Sequence, residues 1–277
     1  MATRAVKKAK GSTARGGAAE LLRFLLLLFV ATLALRSLVA APFSIPSGSM
    51  LPTLAIGDHL FVAKWPYGWS RWSFPGGAAP IDGRLWGALP RRGDVVVFKH
   101  PDTGADWVKR VIGLPGDRVA VKGGTVILNG RPLPRTRVAD HLVPISPNSP
   151  CRAAGGGTGD VVAGADGAPA CAYPRYRERL PDGRTYLTLD QLPYAAADSA
   201  AEVRVPAGQL FLLGDNRDDS RDSRFSIADG GVGLLPLDRV QGRALIVYFS
   251  TNGAAAWLKP WTWDEATRWH RIGATPE

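Results

Sequence analysis

A chain of 277 residues with 45% hydrophobic and 21% charged residues has ample length for a folded core and is no disordered tail. Its 32 glycines and 22 prolines call for many turns and short strands, which argues against a helical bundle. The net charge of +10 is not gathered into a nucleic-acid stripe, because much of it stands at the start, where Arg4, Lys7, Lys8, Lys10, Arg15 and Arg23 face only Glu20. A basic stretch ahead of an apolar run sets membrane orientation, so residues 1–20 are expected to be a cytoplasmic tail.

The apolar run begins with "FLLLLFVATLAL", Phe24 to Leu35, whose twelve residues would span about 18 Å of helix. That length also suits the core of a cleavable leader. Arg36 interrupts the run and "SLVAA" continues it, so a helix from Phe24 to Ala41 would reach about 27 Å if Arg36 snorkels to the interface. Val39-Ala40-Ala41 offers the small residues a leader-cleaving enzyme reads. Pro42 follows them, however, and its locked φ and missing N–H make the bond a poor one to cut. An uncleaved transmembrane anchor over 21–41, in contact with membrane lipid, is therefore expected, with residues 42–277 outside the cytoplasm.

Beyond the anchor the chain reads as mainly β: short runs of β-branched and aromatic residues at 59–65, 94–100, 106–114, 118–130, 208–216 and 243–249, separated by turns. "VKGGTVILNG" is expected to be a hairpin about Gly123-Gly124. The proline-rich stretch 131–204 reads as a smaller inserted subdomain. Within it, Cys151 and Cys171 bracket a segment too glycine-rich to hold itself in place. A bridge there, in an oxidising compartment, would remove roughly 3 kcal/mol of unfolded-state entropy; two unpaired buried thiols are the alternative. No Cys or His stands near them at ligand spacing, so no metal is expected, nor any cofactor. "WDEATRWHRI" near the end carries a helix signal.

Chemistry enters with "WVKRVIG". On a strand, Trp107, Lys109 and Val111 share one face, and an amine among apolar neighbours loses hydration and basicity. A neutral lysine can take a proton from a serine hydroxyl. The four histidines, His59, His100, His141 and His270, are scattered over separate segments and offer no competing base. In "PFSIPSGSMLPTL", Gly48 permits a turn that aims Ser47, Ser49 and nearby N–H groups at one point, where Ser49 would be the nucleophile. In "LGDNRDDSRDSRF", Ser220 could hold the Lys109 amine, and Asp222 could pair with Arg224.

These stretches, with "RGDVVVFKHP", "VKRVIGLPGD" and "VQGRA", resemble in order the motifs of bacterial type I signal peptidase, over the chain from the anchor to about residue 250. The resemblance implies an all-β catalytic domain on a membrane anchor and a serine endopeptidase with a Ser/Lys dyad. Such enzymes release exported proteins by cutting their signal peptides after small residues at the third and first positions before the cut. It places Ser49 as nucleophile, Lys109 as general base, Ser47 and Ser49 at the oxyanion hole, Ser220 as the serine orienting the lysine, and Asp222–Arg224 as a supporting ion pair. It implies no nucleic-acid partner. The link "SIADGGVGLLP" after Phe225 is longer than in many members. Pro42→Ala should then open the Ala41–Pro42 bond to slow cleavage between molecules.

Six of the nine tryptophans lie in "WPYGWSRWSF" (65–74) and "WLKPWTW" (257–263). They would suit either a bilayer interface or a packed core. Two other readings separate cleanly. A self-cleaving repressor with the same dyad should carry a DNA-binding helix-turn-helix and no anchor. A tethered β-scaffold should bind exported proteins without cutting them.

Overall fold

The computed structural model describes residues 13–153, 159–165, 167–192, 196–256 and 258–276. The basic cluster at Arg4 to Lys10 and Trp257 lie outside them. Thr13–Ala34 forms one α-helix, extended by a π-turn over Leu35–Val39. Its most apolar stretch, within Gly17–Val39, has a mean hydropathy of 2.1, and no part of that stretch is covered by the rest of the chain. Leucines and phenylalanines exposed on every side of a helix are stable only in an apolar solvent, which fits a membrane anchor. The helix stops before Ala40 and Ala41, which were expected to close it. Pro42 confines the residue before it to extended backbone, and Ala40 is already extended at φ −149° and ψ 147°.

The chain passes from the anchor straight into an antiparallel seven-stranded sheet. Its spatial order is Ala40–Ser44, Asp58–Ala63, Val240–Ser250, Val95–Lys99, Asp106–Gly113, Gln209–Leu213 and Leu235–Pro236. Alternation along Val95–Lys99 shows why the sheet is two-faced. Val95 and Val97 pack with Ile45, Met50, Leu54 and Leu60 on one side, while Val96 and Phe98 pack with Tyr67, Val111, Leu210 and Leu212 on the other. A strand buried on both faces reads as a continuous apolar run, which is how "VVVF" appears in the sequence.

A second sheet pairs Arg118–Lys122 with Thr125–Leu128 through Gly123 and Gly124, both at positive φ as a tight hairpin requires. Arg131–Pro132 and Ser199–Arg204 complete it. A third sheet carries Arg135–Pro144, Pro169–Arg179, Asp160–Ala163 and Thr185–Leu189. The stretch 131–204 thus starts and ends in the second sheet and builds the third between. Cys151 and Cys171 are bonded, with Cα atoms 5.2 Å apart. Gly159 is packed so closely on them that a Cβ would stand 2.8 Å from Cys171 Sγ.

Two regions differ from sequence expectation. The helix near the end is only Thr262–Ala266, followed by a 3-10 turn over Trp269–Arg271. Between them the chain extends so that Arg268 and Arg271 reach the buried Asp58, whose other oxygen contacts include Ser250 Oγ at 2.7 Å. The long link after Phe225 folds back on itself, with the Gly231 carbonyl accepting from His100 Nε2 at 3.0 Å, before Leu235–Pro236 joins the large sheet.

The strand Ala40–Ser44 also bears on self-cleavage. Ala40 pairs with Ala63, Ala41 with Val62 and Pro42 with Phe61, so the residues around the candidate bond are held in the sheet. A protease needs that segment free and extended in its own cleft, which pairing denies whatever residue follows Ala41. The structure therefore revises the expectation for Pro42→Ala: this variant should keep its anchor, checked by N-terminal sequencing of membrane-extracted protein held at high concentration.

Candidate active site

Ser49 sits in the single 3-10 turn Gly48–Met50, immediately after the first strand of the large sheet. Met50 fills the core beneath this turn and is fully buried, which fixes the height of its neighbour. Lys109 comes from the middle of Asp106–Gly113. The two meet: Lys109 Nζ lies 2.8 Å from Ser49 Oγ, and both residues are buried. Ser47 Oγ stands 3.4 Å from Ser49 Oγ, on the open side of the turn. Burial lowers the Lys109 pKa to about 8, against the pull of Asp222, Asp215 and Asp219, which favour the ammonium. The Trp107 ring lies 5.3 Å from the amine.

The loop after Gln209–Leu213 closes over this pair. Asp222 is fully buried and holds Arg224 bidentately, Nε to Oδ1 at 2.9 Å and Nη2 to Oδ2 at 2.8 Å. Its Oδ2 also accepts from Gly214 N at 2.9 Å. The guanidinium of Arg224 and these N–H bonds hold the Asp222 carboxyl below the usual carboxylate range although burial opposes them. Gly214 is required by space: a Cβ there would lie 2.2 Å from Ser220 Oγ and 2.7 Å from the Ser49 carbonyl. Ser220 is thus pressed against the site, with its hydroxyl on the Asp222 carboxyl. The Lys109 amine, which the sequence reading hands to Ser220, donates instead to the Val108 carbonyl at 3.0 Å. Among the described residues no histidine bonds to Ser49; the buried one, His100, uses Nε2 on Gly231.

Sequence reasoning passed over three groups. Arg110, next to the lysine on the opposite strand face, makes two bonds to Asp215, Nε to Oδ1 at 2.8 Å and Nη2 to Oδ2 at 2.7 Å, and a third to the Gly93 carbonyl at 2.7 Å. Thr53 Oγ1 donates to Asp215 Oδ2 at 2.5 Å, which ties this pair to the segment just after the nucleophile. Asn216 takes hold of the nucleophile turn directly: its side-chain amide donates to Gly48 O at 3.1 Å and its backbone N–H to Ser49 O at 3.1 Å. Asp219 faces Gly48, and partial burial raises its pKa. Only the alternation rule marked Arg110, by putting it off the lysine face, and nothing local could name its partner a hundred residues away.

Comparison with known proteins identifies the family. Residues 18–249 match the family model described as signal peptidase, peptidase S26. Signal peptidase I of Rickettsia typhi is 32% identical over 262 residues, 87% of this chain and 87% of that one. Signal peptidase I of Rickettsia massiliae is 30% identical over 285 residues, 95% of this chain and 94% of that one. A solved signal peptidase I from Enterococcus faecalis aligns with 56% of this chain and 97% of its own at 23% identity and a TM-score of 0.29.

Removing one member of a fully buried ion pair leaves the other charged and unpaired. Asp215→Ala should therefore lower the unfolding free energy by about 3–5 kcal/mol, read by denaturant unfolding of the detergent-solubilised chain. Arg118→Ala, from an exposed pair with Glu202 at 3.7 Å, should change it by less than about 1 kcal/mol.

Proposed function

The chain belongs to the signal peptidase family, peptidase S26, and we propose that it works through Ser49 as nucleophile and Lys109 as general base. It is a membrane-anchored serine endopeptidase that removes signal peptides from exported pre-proteins. The observation that carries the residue assignment is the 2.8 Å contact between Lys109 Nζ and Ser49 Oγ, in a site that lowers the amine to a pKa of about 8. A lysine so placed is neutral in about a tenth of molecules at pH 7, a hydrated one in fewer than about one in a thousand.

In the reactive state the neutral amine accepts the Ser49 hydroxyl proton as Oγ attacks the scissile carbonyl. The oxyanion that forms would be stabilised by the Ser49 N–H and by the Ser47 hydroxyl, whose Oγ stands 3.4 Å from Ser49 Oγ. The resulting ammonium gives its proton to the leaving amine. The same amine, neutral again, takes a proton from water to release the acyl group from Ser49. Ser220 acts by filling the space against Gly214, and Asp222–Arg224 by fixing the loop that carries it.

The substrate's path follows from the sheet. On the strand Asp106–Gly113, Gln209–Leu213 pairs with Arg110, Val111 and Gly113, and its pairing does not extend to Asp106 through Lys109. An extended peptide added there would pass its carbonyl by Ser49. Phe43 and Val108, partly buried beside Ile45, would form shallow apolar seats, which suits small side chains before the cut.

We place the N-terminus in the cytoplasm and residues 42–277 on the periplasmic side of the inner membrane, as a single-pass protein. The basic residues before the helix follow the positive-inside rule, and the Cys151–Cys171 bridge suits an oxidising compartment. Trp65, Trp86, Trp261, Trp263 and Trp269 are exposed, as is Leu258, and these would rest on lipid at the interface.

The wild-type chain should cleave a purified pre-protein in detergent, and Ser49→Ala should bind it uncut; equal cleavage by both would take Ser49 out of the mechanism. Lys109→Arg keeps the charge but cannot supply a neutral base, so it should lose nearly all turnover while melting as a folded protein. Wild-type activity should fall as pH drops through about 8, where the amine gains its proton. Asp222 is the strongest influence holding that proton on, so in Asp222→Asn the acid limb should move to lower pH, even as turnover falls. An unmoved limb would remove Lys109 as the titrating group.

A further inference from the structure

With Ser49 as nucleophile and Lys109 as base, the residues before the cut lie along Asp106 to Val108, so those after it lie beyond Lys109. They cannot continue along the same strand, because Leu213 pairs there with Arg110. The loop that follows Leu213 is packed on the nucleophile turn, through Gly214 against the Ser49 carbonyl and through Asn216 on Gly48 O and Ser49 O. The leaving segment therefore turns outward, over Gly48. From Gly214 to Ser220 one residue is exposed, and it is Asp219.

Gly48 and Asp219 form a trough at this exit. A Cβ on Gly48 would stand 3.5 Å from Asp219 Oδ2 and 3.3 Å from Leu51 Cδ1, so the missing side chain keeps the carboxylate open to a passing peptide. Among the described residues no donor is bonded to that carboxylate. Partial burial raises its pKa, against Arg152 and Lys109, whose charges favour the ionised form. Arg152 is held nearby, since its neighbour Cys151 is bonded to Cys171, and Tyr173 Oη donates to Arg152 O at 3.1 Å. Cys171 and Tyr173 pack in turn with Leu51, so this cation and the nucleophile turn share one wall. The catalytic steps use neither Asp219 nor Arg152.

We propose that Asp219 selects the residues that follow the cut, favouring a basic over an acidic side chain at the first or second position of the released chain, and that Arg152 moderates this preference. The inference rests on the Ser49–Lys109 reading and extends it from the leader, read by size, to the released protein, read by charge. A carboxylate beside the leaving segment attracts a lysine and repels a glutamate there. Both effects are modest because the exit is open to water. They discriminate between substrates without altering the chemical step common to them.

The test compares kcat/KM of the full chain in neutral detergent on peptides that share one leader and carry Lys, Gln or Glu at the first or second position after the cut. Wild type should cleave the Lys peptide about fivefold faster than the Glu peptide at one of these positions, and high salt should shrink that ratio. Asp219→Asn should bring it close to one, Asp219→Glu should keep it, and Arg152→Gln should widen it. Asp182→Asn, which removes an exposed acid bonded to Arg184, should leave it unchanged and controls for net charge. Each ratio is taken within one variant, so any change in the Lys109 base divides out. Cleavage of the Gln peptide reports that a variant is folded; if Asp219→Asn fails there, Asp219→Glu and the salt dependence carry the test. A ratio near one in wild type, a ratio unmoved in Asp219→Asn, or an equal fall in Asp182→Asn would overturn the proposal. Cleavage persisting in Ser49→Ala would instead remove the dyad reading beneath it.

Discussion

Everything around the nucleophile answers to one constraint: an amine must stay without its proton inside a protein that also carries carboxylates nearby. Burial alone favours the neutral form of Lys109, but Asp222, Asp215 and Asp219 all pull the other way. The structure limits that pull by giving the first two their own cations. Arg224 neutralises Asp222, and Arg110 neutralises Asp215. The lysine thus sees two compensated dipoles where it would otherwise see two full negative charges. This has a cost to folding. The Lys109 pKa falls from 10.5 unfolded to about 8 folded, so the burden is carried in full below about 8 and lifts as pH rises through 10.5.

A further buried arginine ties the active-site loop to the third sheet. Arg217, also fully buried, reaches Glu178 at 2.5 Å, while Leu189 accepts from Arg217 N and donates its own N–H to Asp215 O, both at 2.8 Å. The active-site loop is therefore hydrogen-bonded on one side to the nucleophile turn, through Asn216, and on the other to Thr185–Leu189. Residues far from the serine in sequence act as a back wall. Buried pairs of this kind add little net stability over apolar replacements, but losing one partner is severe, so they specify a single loop geometry.

Much of this was legible in the sequence for identifiable reasons. The strands announced themselves by β-branched runs, and Lys109 by its place among apolar residues with alternating direction. Ser47, Ser49, Asp222 and Arg224 could be named because they stand within short motifs. Long-range partners could not. Nothing in "VKRV" says that Arg110 will meet Asp215, and nothing in "TLDQL" says that Leu189 will clamp that same loop. The C-terminal helix misled because its charges, Arg268 and Arg271, are used on buried Asp58, a demand from the opposite end of the domain that overrides local propensity. Ser220 was named by motif, yet its hydroxyl sits against Gly214 rather than on the amine.

The direct passage from Val39 into the strand at Ala40 leaves no linker between anchor and sheet, and the Trp69 indole further pins the junction by donating to Leu38 O at 3.0 Å. The domain cannot swing on a tether. With Ser49 only one turn and one strand beyond the helix, its height above the bilayer surface is set by the covalent chain, as a blade is set in a plane. A substrate's own hydrophobic helix is positioned by the same bilayer, so two independently anchored chains meet at a common level. Depth in the membrane then becomes a coordinate of specificity alongside side-chain size, and a suitable sequence at the wrong distance from its hydrophobic segment passes under the edge uncut.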